Sequence, residues 1–137
     1  MYHSEINNRP DEPMRFIQMW FLPREPGLTP AVEQKEVHQS ERTDRLLPLV
    51  SNDDAGALRI ASEAKVYSCF QQKGNALSHA LQESSGGYLY VLEGGPISIN
   101  DKPLHHLDAA LLTRERDLFL KADGDAELLL VVVPVKT

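Results

Sequence analysis

Apolar and polar residues alternate along this chain in short runs, and Gly, Pro, Asn and Asp cut the runs apart. An alternation of period two places successive side chains on opposite faces, which is the pattern of strands. The run at 65–70 puts Val66, Ser68 and Phe70 on one face and Tyr67 and Cys69 on the other. The clearest strand is 88–92, Tyr-Leu-Tyr-Val-Leu, opened by Gly86 and Gly87. A tight turn follows at 93–96. Residues 97–99 alternate again, and Asn100 and Asp101 predict a two-residue hairpin loop. Further strands are expected at 76–81, 109–113, 117–121 and 126–133. The stretch 128–133 is apolar on both faces, which predicts a strand with protein on both sides.

The first half is less regular. Residues 14–22 form a β-type run that ends at Pro23, and 23–30 is a proline-rich loop. Residues 31–37 fit a strand or a short helix; no apolar helical face is present, so a strand is favoured. The run 46–50 carries Pro48, which confines a strand there to an edge or a first position. Turn residues at 52–56 precede a strand at 57–60. Residues 1–13 are polar, contain Pro10 and Pro13, and read as a tail. Roughly ten short strands, with turn signals every ~8–12 residues and no long helix, predict an all-β sandwich or barrel. The expected organisation is a tail over 1–13 and a single domain over 14–137.

The length of 137 residues suits one domain. Such a domain buries ~70% of the surface its unfolded chain exposes and needs no metal or disulfide staple. The net charge of −6 repels phosphates, which argues against nucleic acid or an anionic membrane as partner. Cys69 is the single cysteine, so there is no internal disulfide and no Cys-rich zinc site. A lone thiol fits a reducing compartment, and the expected location is cytoplasmic. The longest apolar run, 128–135, falls far short of the ~20 residues that span a bilayer, and no basic-then-apolar signal opens the chain. There is no phosphate-binding glycine loop, nucleophile elbow, CxxC pair or HExxH helix.

Tyr90-Val91-Leu92-Glu93-Gly94 resembles the YVLEG core of the cupin superfamily, where a strand enters a turn whose glycine needs positive φ. Phe16-Ile17-Gln18-Met19-Trp20-Phe21-Leu22-Pro23, then Gly27-Leu28-Thr29-Pro30, then Glu33-Gln34, resembles a passage of the pirin family, which includes bacterial quercetin dioxygenases. The resemblance implies a bicupin, two jelly-roll β-barrels (double-stranded β-helices) in one chain, with this passage at the crossing between them. Residues 14–137 then correspond to the C-terminal cupin. His3-Ser4-Glu5 is similar to the family's HSE segment, which implies that His3 and Glu5 are the last two ligands of an iron or other divalent metal site. Its first ligands lie in a motif of the N-terminal cupin that this sequence lacks.

The resemblance also sets a test for the second barrel. A metal-binding cupin uses HxH, a glutamate a few residues on, and a histidine on a facing strand. Two imidazoles at i and i+2 then point into the barrel, and the set leaves positions open for dioxygen and substrate. Here the first motif reads His79-Ala80-Leu81, Gly86 or Gly87 stands near the carboxylate position, Glu83 is badly spaced, and 117–120 has no histidine. No cofactor is expected within this chain's own barrel, and no catalytic residue is assigned. His79, Tyr88 and Tyr90 are the pocket candidates, His79 being otherwise a satisfied polar residue of the barrel interior.

The remaining candidates have plainer readings. His105 and His106 are adjacent, point opposite ways on a strand and suit a surface loop; His38 lies in a polar stretch. Cys69 has no identifiable base and suits a buried small hydrophobe. Trp20 and Tyr88 suit packing better than cofactor stacking. Two functions therefore compete: a non-catalytic cupin half that is structural or binds a small molecule, and part of a metal-dependent quercetin dioxygenase-type oxidoreductase active only with the N-terminal cupin. Phe16, Met19, Trp20 and Phe21 cannot all face one sheet, so part of this strip should be exposed, and a homodimer that covers it is expected.

Overall fold

The alternating runs pair into two antiparallel sheets. The computed structural model describes residues 4–135. Its strands are β1 (Leu47–Val50), β2 (Lys65–Gln71), β3 (Ala76–Ala80), β4 (Ser85–Gly94), β5 (Ile97–Ile99), β6 (Lys102–Leu104), β7 (Ala109–Leu112), β8 (Asp117–Ala122) and β9 (Ala126–Pro134). One sheet has the order β1-β2-β9-β4-β7 and the other β3-β8-β5-β6. Non-consecutive neighbours in both sheets make this a jelly-roll barrel, and among the described residues the only helical turn is the 3₁₀ segment Gln39–Glu41.

Period two decides what each strand buries. Cys69, Leu89, Val91, Leu128, Leu130 and Val132 of the first sheet meet Leu118, Leu120, Ile97, Ile99 and Leu104 of the second in one apolar cluster. Each fully buried Leu or Ile contributes ~1.5–3 kcal/mol relative to exposure. Gln71 is buried too, and its Nε2 donates to the Leu120 carbonyl at 3.3 Å, tying β2 to β8 across the barrel. The β5–β6 hairpin turns at Asn100 and Asp101, both with positive φ (46° and 64°), the geometry of a type I′ turn. Asn100 Oδ1 accepts the Phe119 N–H at 2.8 Å and pins the turn to β8. Pro48 sits on β1, an edge strand, as its missing donor requires.

Three expected strands do not form. Residues 14–22, 31–37 and 57–60 are irregular, although Val50 and Leu58 make one isolated bridge. The reason is placement: residues 13–19 lie across the outer face of the five-stranded sheet, against Leu49, Ser68, Leu92 and Leu129, instead of joining its edge. Arg15 anchors this segment through the Leu92 carbonyl at 3.3 Å and Glu93 at 3.7 Å. The cover explains why β9 is apolar on both faces: Leu128 and Leu130 face the core, while Leu129 is buried beneath the segment. The covering strip is itself incompletely buried, with Phe16 58%, Trp20 87% and Leu22 90% exposed. Residues 4–13 are exposed throughout.

Candidate functional site at the barrel mouth

Lys65 and Tyr67 are two apart on β2 and so share its inner face. Their neighbours on that face, Cys69 and Gln71, are buried between the sheets. On the opposite sheet Leu77 and His79 of β3 also point inward, Leu77 packing against the apolar cluster. Tyr67 and His79 meet edge to face, with ring centroids 4.9 Å apart and planes at 65°. Together they floor an open cavity of about 270 Å³ whose wall includes Leu81, Ser84, Val132 and Pro134 and whose rim carries Asp53 and Glu63. Asp53, on the turn after β1, holds Lys65 Nζ at 2.6 Å.

The cavity's electrostatics follow from this placement. Burial, with the Lys65 charge beside it, lowers the His79 pKa, so the imidazole is neutral near pH 7. Burial raises the Tyr67 pKa, and the Asp53 hydrogen bond raises that of Lys65. The site therefore offers an ammonium, a phenolic hydroxyl and a neutral imidazole. Neither the Tyr67 hydroxyl nor the His79 ring has a side-chain hydrogen-bond partner among the described residues, and neither is sealed from solvent.

The donor set does not fit a metal ion. Across the β3–β8 ladder His79 pairs with Leu118, a fully buried alkyl group. Leu81, at the second imidazole position, is buried in the core cluster. A Cβ on Gly87 would stand 3.0 Å from Leu112 Cδ1, so a carboxylate side chain there would require Leu112 to shift. Among the described residues no three His, Cys, Asp or Glu side chains are placed to hold one metal ion.

His79 lines the cavity, but Tyr88 and Tyr90 do not: they lie on the outer face of β4, opposite Leu89 and Val91, and Tyr67 takes the place expected for them. The inward β2 face was visible as an alternation, yet Val66 and Ser68 opposite are also buried, so periodicity alone did not say which face was inside. Lys65 and Asp53 carried no sequence signal, because the turn and the strand that hold them meet only in the fold. Glu5 is exposed, and His3 lies outside the described residues. His105 and His106 occupy an exposed turn, and His38 is exposed beside the 3₁₀ segment. Burial and the nearby Asp44 push the Cys69 thiol up to about 11, so it stays protonated and apolar in character.

A jelly-roll barrel of two antiparallel sheets in this strand order defines a protein of the cupin class. Residues 48–133 match the family described as the quercetinase C-terminal cupin domain, and the chain belongs to that family. It is 33% identical over 131 residues to a pirin-like protein of Caulobacter vibrioides, covering 94% of this chain and 56% of that protein. It is 26% identical over 132 residues to quercetin 2,3-dioxygenase of Escherichia coli K12, covering 96% of this chain and 56% of the relative. The chain thus spans little more than half the length of these relatives. The crystal structure of YhhW from Escherichia coli superimposes with a TM-score of 0.77 at 24% identity, over 85% of this chain and 49% of that one, and shares its fold. Among the described residues no helix is long and apolar enough to cross a membrane.

Proposed function

We propose that this chain is a non-catalytic cupin half that assembles no catalytic metal centre in its own barrel and receives a small organic molecule at the barrel mouth. The observation that carries the reading is the replacement of the ligand positions by alkyl groups around a retained inward imidazole: His79 faces Leu118, and Leu81 is buried in the core. A barrel without the ion set still has a polar mouth, and a concave site with an apolar wall and a few convergent polar groups is the usual form of a small-molecule site. Titration of the purified chain with iron(II), nickel(II) and manganese(II), followed by metal analysis after gel filtration, tests this. The expected result is no stoichiometric retention; one tightly held ion per chain overturns it.

A second reading is favoured by the family and by the coverage of its members: the chain contributes to a metal-dependent dioxygenase of the quercetinase type. Iron or another divalent metal would then belong to an N-terminal cupin, with His3 and Glu5 completing its ligand set. Oxygen uptake on quercetin by this chain, alone and mixed with the N-terminal half of a relative, separates the two. Turnover only in the mixture supports the second reading.

A further inference from the structure

The cavity that Lys65, Tyr67 and His79 share is polar at one end and apolar at the other. The polar end converges: the ammonium and the phenol extend from one strand face, and the imidazole meets the phenol from the facing sheet. Polar groups that are largely buried are normally satisfied by a partner. Here Tyr67 and His79 line the cavity with no side-chain hydrogen-bond partner among the described residues, while the ammonium is held by a carboxylate from an exposed loop. Leu81, Val132 and Pro134 supply an apolar wall beside them.

We propose that this mouth binds a small organic carboxylate with a compact apolar body, and that Asp53 occupies the carboxylate's place on Lys65 in the unliganded chain. The inference rests on the metal-free reading above and names the class of ligand. Four observations converge on it. Among the described residues Lys65 is the only cation lining the cavity, and an anionic head group can pair with it once Asp53 is displaced. Asp53, whose side chain is 69% exposed, shows that a carboxylate reaches the ammonium with good geometry, at 2.6 Å, and an exposed partner is easily displaced. Asp53 and Glu63 at the rim repel a dianion more than a monoanion, which favours a carboxylate over a phosphate. A volume of about 270 Å³ lies just below the range of drug-sized sites, ~300–1,000 Å³, and suits a body of one ring. The head would accept from Lys65 Nζ, the Tyr67 hydroxyl and one imidazole N–H, with the ring against Leu81 and Val132.

Benzoate is the probe, and benzamide, of the same shape without charge, is the control; both are titrated into the full chain by NMR and calorimetry. Benzoate should bind saturably and more tightly than benzamide. Lys65→Met should weaken benzoate by about tenfold or more, as loss of a charged hydrogen bond does, and leave benzamide unchanged. Asp53→Asn, on an exposed loop that does not threaten the fold, should tighten benzoate about two- to fivefold by removing the internal competitor. Equal binding of both probes, or no gain in Asp53→Asn, overturns the carboxylate assignment and leaves the small-ligand reading standing. Failure of both probes overturns both. Stoichiometric metal in the same samples overturns the metal-free reading alone.

Discussion

Gly94 closes β4 at the turn that carries the chain from one sheet into the other, and three glycines allow its role to be separated into parts. Gly94 has φ +73°, and a Cβ there would overlap the Asp125 carbonyl oxygen and stand 3.0 Å from its carbon. Gly74 has φ +85° but nothing within 4 Å of a built Cβ. Gly124 has no positive φ, yet its Cβ would overlap the Gly95 carbonyl oxygen and stand 2.9 Å from its carbon. Gly74→Ala therefore measures the left-handed penalty alone, ~1–2 kcal/mol. Gly124→Ala measures the backbone overlap alone, ~1–3 kcal/mol if it behaves like other overpacking. Gly94→Ala combines them and should cost ~2–5 kcal/mol, because both obstructing groups are backbone and cannot rotate away. Urea unfolding followed by far-ultraviolet dichroism gives the three midpoints, with unchanged m-values required for the comparison. If Gly94→Ala unfolds at the same midpoint as Gly74→Ala, the steric part of the reasoning is refuted.

Three further outcomes are expected. Leu81→His restores one imidazole but leaves Leu118 and Gly87 in place, so it should not hold iron stoichiometrically; tight calorimetric binding of one ion would contradict the donor argument. His79 has a lowered pKa, so the unfolded chain binds its proton more readily than the folded one; the stability it supports is complete above pH 6.5 and declines as pH falls through the lowered folded value. Urea midpoints for wild type and His79→Gln should then diverge in slope below pH 6.5, and parallel profiles would refute the assignment. We propose that the exposed strip with Phe16, Trp20 and Leu22 mediates a homodimer; light scattering should show Trp20→Lys shifted toward monomer, and a dimer untouched by the substitution would remove this strip from the contact.

Period-two alternation by itself determined the second half of the molecule. From 65 to 134 nearly every expected run is a strand, because one face of the alternation there packs against the opposite sheet. The hairpin at Asn100 and Asp101 was equally legible, since only a few residue types accept two successive positive φ values. The departure of His79-Ala80-Leu81 from the HxH pattern that the cupin resemblance implies was legible as well, because such a pattern is a matter of residue type at fixed spacing. Tertiary structure decided the rest. Residues 14–22 have β-type composition, but 14–19 lie across a sheet face, and a run cannot reveal whether an edge is free to receive it. Both faces of β2 are buried, so only the packing of the second sheet shows that Lys65 and Tyr67 look inward while Tyr88 and Tyr90 on β4 look outward. The meeting of Asp53 with Lys65 and of Tyr67 with His79 joins a turn and two strands from different sheets, and no local pattern encodes such a convergence.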